Sequence, residues 1–289
     1  MLLDTGLMRL LEQIEVLTKK VQYSNMAGQK YSRRLGGGME FSDYRQYQVG
    51  DDYRYIDWNL YSRLEQLFLK QFIEERDSLI YCLIDHSTSM GFGEPSKLAY
   101  ALQLAAALGY IGLAKLDRVG AAFFTSTITK QLQPKKGKNW VQHYFRFLDH
   151  TRADGKTNVN QALGEFANVQ RPGLAVIFSD FFDEGGYETG VLKLLKSGFE
   201  VWMIQVLSSQ ELLPSEDDDV LLIDSELGLA KEVYLCEEVI VQYRHRLEIY
   251  LHDMAEFAKR YQILYLTVST ETSLEAVIFD SLRKLRGVK

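Results

Sequence analysis

The chain has 289 residues, 46% of them hydrophobic and 25% charged, which places it with ordinary globular proteins that bury one large core and a smaller appended unit. With 39 acidic against 33 basic side chains the formal net charge is −6, an argument against a dedicated nucleic-acid binder, which needs a basic face. Cys82 and Cys236 are too few and too far apart for a disulfide framework or a zinc site, and they point to a reducing compartment.

In chain order, Leu7, Leu10, Leu11, Ile14, Leu17 and Val21 recur at helical spacing, so the N-terminus reads as an amphipathic helix. It lacks the basic region, apolar core and cleavage site of a signal peptide. A Gly-rich and Arg-rich stretch follows, "RRLGGGMEFSDYRQYQVGDDYRYIDWNLYSR", and residues 1–76 together form a small extension. From residue 77 to 289, short apolar runs alternate with helical stretches. The strands are expected at 78–85, 118–124, 173–180, 200–207 and 261–268, and the helices at 97–115, 139–149, 158–170, 187–197, 237–260 and 271–286. This alternation predicts an α/β fold, a mainly parallel sheet flanked by helices on both faces. A hairpin insertion near 215–236 interrupts it, turning near Glu226 to Gly228 after the acidic run Glu216-Asp217-Asp218-Asp219, which reads as a solvated loop.

Residues 98–114, "LAYALQLAAALGYIGLA", imitate a membrane span, with Gln103 as the one strongly polar side chain. A bilayer crossing needs about 20 apolar residues, and this run is shorter and directly follows a strand. It is expected to be a central helix of the sheet, with no membrane insertion and a cytoplasmic location.

The apolar run "SLIYCLI" ends in "DHSTSM", Asp85 to Met90. A nucleophile is one explanation. However, neither serine has the Gly-x-Ser-x-Gly frame, and a phosphotransferase of the haloacid-dehalogenase kind would want an aspartate where Ser87 stands. A phosphate loop is another: "GKT" at Gly155-Lys156-Thr157 resembles the tail of a Walker loop, but His150 occupies the place of its first glycine. Oxygen ligands for a hard cation are the third. Asp85, Ser87 and Ser89 gather at one strand end, Thr157 enters a helix from the loop "DGKTNVNQAL", and Asp180 closes the strand "GLAVIFSD". Mg²⁺ takes about six oxygens and keeps some waters, and Mn²⁺ is the alternative ion. Three hydroxyls and two carboxylates leave such an ion electrophilic, so an acidic side chain from a partner would complete its shell. Serines and threonines capping helices are the plain explanation for each hydroxyl taken alone.

In this order, Asp85, Ser87, Ser89, Thr157 and Asp180 resemble the metal-ion-dependent adhesion site of von Willebrand factor type A domains. The stretches "GGGMEFSDYRQYQVGDDYRYIDW", "FIEERD" and "LIDHSTSM", together with "LLIDSELG", resemble the bacterial family of unknown function DUF58. The resemblance implies a von Willebrand factor A-like, Rossmann-like domain at 77–289 behind the N-terminal extension. It also implies a non-enzymatic adaptor that works with a MoxR-type AAA+ ATPase on client proteins, the client supplying the acidic ligand. A metal-dependent hydrolase or phosphotransferase using the Asp85 cluster is the alternative. The block Arg45, Asp51, Asp52, Arg54, Asp57 and Arg63 reads either as ion pairs and turn bonds around a buried Trp58 or as a docking surface for the ATPase.

Overall fold

The computed structural model describes residues 3–17, 39–74, 78–149, 151–214, 219–223, 230–234, 237–285 and 287–289. The chain divides into two units, Met1–Lys19 with Ser78–Lys289, and Lys20–Asp77. The helix at the N-terminus, α1 (Thr5–Leu11), therefore belongs with the larger unit and not with the Gly/Arg-rich stretch. Asp4 caps it by accepting the Gly6 N–H at 3.0 Å.

This helix is shorter than the apolar spacing predicts. After Leu11 the chain extends, and Val16 forms an antiparallel bridge with Val288, fixed by mutual backbone bonds between Glu15 and Lys289. Ile14 and Val16 are buried at a spacing of two, while Leu10 and Leu17 are exposed. A strand-like period was thus hidden inside an apparent helical one. Val21 lies outside the described residues.

In the smaller unit, β1 (Met39–Gln46) pairs antiparallel with β2 (Phe68–Glu74), and α2 (Trp58–Leu64) lies between them in sequence. Asp57 caps α2 through the N–H groups of Asn59 and Leu60, and its other oxygen accepts the Tyr44 hydroxyl at 3.0 Å. Arg45 pairs with Asp51 at 2.8 Å, Asp51 also accepts the Gln48 N–H, and Arg54 pairs with Asp52 at 2.6 Å. Each of these bonds closes within the unit. Trp58 is 60% exposed, which corrects the buried position expected for it. Ile56 and the capping Asp57 occupy the inside positions, and the first turn of α2 carries Trp58 outward against the edge of Tyr61.

The larger unit continues as β3 (Leu79–Asp85), α3 (Lys97–Ala114), β4 (Arg118–Phe124), β5 (Ile128–Lys135), α4 (Val141–Leu148), α5 (Val159–Val169), β6 (Leu174–Ser179), α6 (Glu188–Lys196) and β7 (Glu200–Leu207). It then runs through α7 (Ser209–Leu212), β8 (Asp219–Ile223), β9 (Ala230–Tyr234), α8 (Glu237–Arg260) and β10 (Leu264–Ser269), and closes on a helix whose Ala276–Leu282 turns are π-type. Six strands form one sheet in the order β10-β7-β6-β3-β4-β5, parallel except for β5. β8 and β9 form the expected antiparallel hairpin; its turn and the acidic residues 216–218 lie outside the described residues.

Side chains alternate along the central strands into two cores. Ile80, Cys82, Ile84, Val176 and Phe178 pack with α1, α3, α4 and the closing helix, whereas Tyr81, Leu83, Ala175 and Ile177 pack with α5, α6 and α8. Long and apolar enough to cross a membrane, α3 is nevertheless 83% buried within the fold. Burial in the same core pushes the Cys82 thiol up to about 12, so it is an inert packing residue.

Candidate functional site

From β3 the chain moves outward to β4 and β5, then returns to the other side of β3 as β6 and continues through β7 to β10. The strand order therefore reverses between β3 and β6. In an open α/β sheet the crevice beyond the carboxyl ends at such a point is where ligands bind. Ile84 pairs with Phe178, so Asp85 and the Ser179-Asp180 pair leave the sheet side by side at that point.

Asp85 is fully buried. One carboxylate oxygen accepts the Ser87 N–H at 2.9 Å, and the other accepts the hydroxyls of Ser179 at 2.7 Å and Thr157 at 3.3 Å. The Ser87 hydroxyl lies 3.2 Å from that of Ser89. The structure thus assembles Asp85, Ser87, Ser89 and Thr157 from β3, the loop after it and the entry to α5. Among these contacts Asp85 has only neutral partners. Burial, then the charge of Asp180, push its carboxyl up to about 7.

Asp180 is also fully buried and faces a different set of groups. Its Oδ1 accepts the Phe182 N–H at 3.1 Å, and its Oδ2 accepts the Lys97 ammonium at 2.7 Å. Lys97, the first residue of α3, is 1% exposed and also reaches Glu211 at 2.6 Å. Burial alone would lower its pKa, but the charges of Asp180 and Glu211 outweigh that and hold it above the usual lysine value. Glu211 is pinned in turn, because its second oxygen completes the capping box at the start of α7 with Ser208.

The backbone after Asp180 is bent sharply, with Phe181 at φ 58°, a left-handed conformation that a bulky residue adopts only when its surroundings compel it. Ser179 accepts the Phe181 N–H at 2.9 Å, and the Phe181 carbonyl receives the Asp183 N–H and the Tyr250 hydroxyl. Gln205 donates to the Asp180 carbonyl at 2.9 Å and accepts from Tyr265 at 2.6 Å. The strand end is therefore held on every side.

His86 faces elsewhere. Its ring nitrogens lie 2.8 Å from the Thr129 hydroxyl and 3.2 Å from the Arg152 carbonyl, and burial lowers its pKa. Sequence reasoning missed Ser179, Lys97, Glu211 and Gln205. A lysine beginning an otherwise apolar helix was the available signal for Lys97, but it was taken only as the helix boundary.

The donors suit a hard divalent ion. They are all oxygens, and two buried carboxylates, Asp85 and Asp180, with the half-buried Glu211 beside them, face the Lys97 ammonium, so a divalent cation would offset the negative charge left over. Among the described residues no three His, Cys, Asp or Glu gather into a metal site; this cluster is built mainly from hydroxyls.

Fold and cluster together define an α/β protein of Rossmann-like architecture with an oxygen-rich, acidic site at the switch point of its sheet. The chain belongs to the family described as protein of unknown function DUF58, whose family model matches residues 43–248. It is 26% identical over 236 residues to an uncharacterized protein of Mycobacterium tuberculosis, covering 79% of this chain and 74% of that one, and equally to one of Mycobacterium bovis. Among solved structures, the conserved hypothetical protein BatB from Bacteroides thetaiotaomicron matches 72% of this chain and 98% of its own at 19% identity and a TM-score of 0.48. An aerotolerance-related membrane protein from Bacteroides fragilis matches 72% and 99% at 20% identity and a TM-score of 0.47.

Proposed function

We propose that the protein is a non-enzymatic, metal-dependent adaptor with a von Willebrand factor A-like domain, which presents client proteins to a MoxR-type AAA+ ATPase. One observation carries this reading. A fully buried Asp85 is bonded only by neutral groups, with Ser87, Ser89 and Thr157 gathered around it and a second buried carboxylate, Asp180, close enough to perturb it. Asp85, Ser87, Ser89 and Thr157 would hold Mg²⁺ or Mn²⁺, with Asp180 behind them. The ion would supply a Lewis-acidic anchor for an acidic side chain of the client. With its ring bonded to Thr129 and Arg152, His86 is not placed as a general base beside Asp85, which favours binding over hydrolysis or phosphoryl transfer. The ATPase partner rests on the sequence resemblance alone.

Calorimetric titration of Mg²⁺ and Mn²⁺ into the full chain and into Asp85→Ala tests the reading. Heats that vanish in a folded Asp85→Ala protein support it, and equal heats in both reject it. Turnover of a phosphate ester that disappears in Asp85→Ala would replace the adaptor with a metal-dependent hydrolase.

A further inference from the structure

Among the described residues Lys97 is the one cation whose contacts place it inside this cluster, and it reaches Asp180 and Glu211 without a hydrogen bond to Asp85. Each oxygen of Asp180 therefore already accepts one bond, Oδ1 from the Phe182 N–H and Oδ2 from the ammonium. Glu211 likewise divides its carboxylate between Ser208 and the same ammonium. The lysine is enclosed, its side chain 1% exposed and its head group 5.8 Å from the centre of the Phe182 ring.

We infer that Lys97 is a positioning residue of the ion site: by holding Asp180, with Glu211 fixing the ammonium from its other side, it withholds Asp180 from the ion and keeps a coordination position free for an external carboxylate. The inference rests on the metal reading above. A divalent ion held directly by two protein carboxylates is neutralised and has little need of an outside anion. One held by Asp85 and hydroxyls keeps a positive charge and its exchangeable waters. On this view the ammonium, which never touches the ion, makes the site selective for an acidic partner. It acts as an outer-shell group tunes a metal through the ligands it orients.

The test titrates Mn²⁺ into the full chain and into the double variant Lys97→Met with Glu211→Gln. That pair removes one charge of each sign, leaving the net charge of the cluster unchanged, and gives Ser208 a glutamine oxygen to accept its bonds. Affinity is read by calorimetry, and the number of waters remaining on Mn²⁺ by water-proton relaxation. The double variant is expected to bind Mn²⁺ about tenfold more tightly, as Asp180 is released, and to keep fewer waters on the ion. Equal affinity and equal hydration in a folded double variant overturn the inference. If that variant does not fold, Asp180→Asn decides: unchanged hydration upholds the withholding of Asp180, and an added water shows that Asp180 had been a direct ligand. Failure of the unaltered chain to bind Mn²⁺ removes the ion site itself, and this inference with it. That outcome is distinct from binding that ignores Lys97.

Discussion

Asp85 has no cation among its hydrogen-bond partners, so in the metal-free protein no group bonded to it offsets its charge. Its carboxyl is pushed up to about 7 by burial and by Asp180. A folded-state value above the unfolded one means that stability is fully present below the ordinary carboxylate range and is lost as pH rises through about 7. The full loss is on the order of 4 kcal/mol at most. The melting temperature in chelator should therefore fall between pH 5 and pH 8, and Mg²⁺ should restore more of it at pH 8 than at pH 5. Asp85→Asn should flatten the profile and ignore Mg²⁺. A parallel profile in the variant would show that another group governs the slope. That Asp85, Ser87, Ser89, Thr157 and Asp180 belong together was legible in the sequence because each lies at or just beyond a strand end or in a loop entering a helix. Lys97, Ser179 and Glu211 were not, because what they do depends on which strand ends the sheet places together, and no spacing along the chain encodes that.

At the scale of elements, the central parallel strands were plain as apolar runs, since both their faces are buried. β5 escaped notice for the opposite reason. "ITKQLQPK" is an edge strand paired only with β4, its side chains largely exposed or half-buried, and it carries Pro134, which an edge tolerates. The closeness of α3 and α4 was equally invisible, and it depends on Gly109. A Cβ there would stand 2.3 Å from the ring of Tyr144, whose hydroxyl donates to the Ala105 carbonyl at 2.8 Å in the core. Gly109→Ala should therefore destabilise the protein by about 1–3 kcal/mol, because displacing a fully buried ring outweighs the gain in helix propensity. Urea unfolding would show it as a lower midpoint at unchanged slope. A raised midpoint would mean that Tyr144 moves aside freely and that propensity alone decides.

For the whole molecule, the decisive feature is that the first residues belong to the core of the last ones. A boundary drawn from composition at 76/77 would cut Leu3, Leu7, Leu11, Ile14 and Val16 from the cluster in which all five are buried. Glu12 accepts the Tyr110 hydroxyl at 2.8 Å, and Glu15 exchanges backbone bonds with Lys289, so the N-terminal run is fastened to α3 and to the chain's last residue. Each buried apolar side chain contributes roughly 1.5–3 kcal/mol. Losing five of them removes an amount comparable with the whole stability of a typical domain, about 5–15 kcal/mol. A chain beginning at Ser78 should accordingly fail to fold or should aggregate, though it retains every residue of the candidate site. A chain in which residues 1–19 are joined to Ser78 by a long Gly/Ser linker, without residues 20–77, should fold with a cooperative melt. It should also bind Mn²⁺ as the full chain does, because Asp85, Ser87, Ser89, Thr157, Asp180 and Lys97 all lie in the unit it preserves. A stable fragment from Ser78 onward would show that the N-terminal run only covers the core. Loss of Mn²⁺ binding in the folded, linker-joined chain would instead make residues 20–77 part of the site.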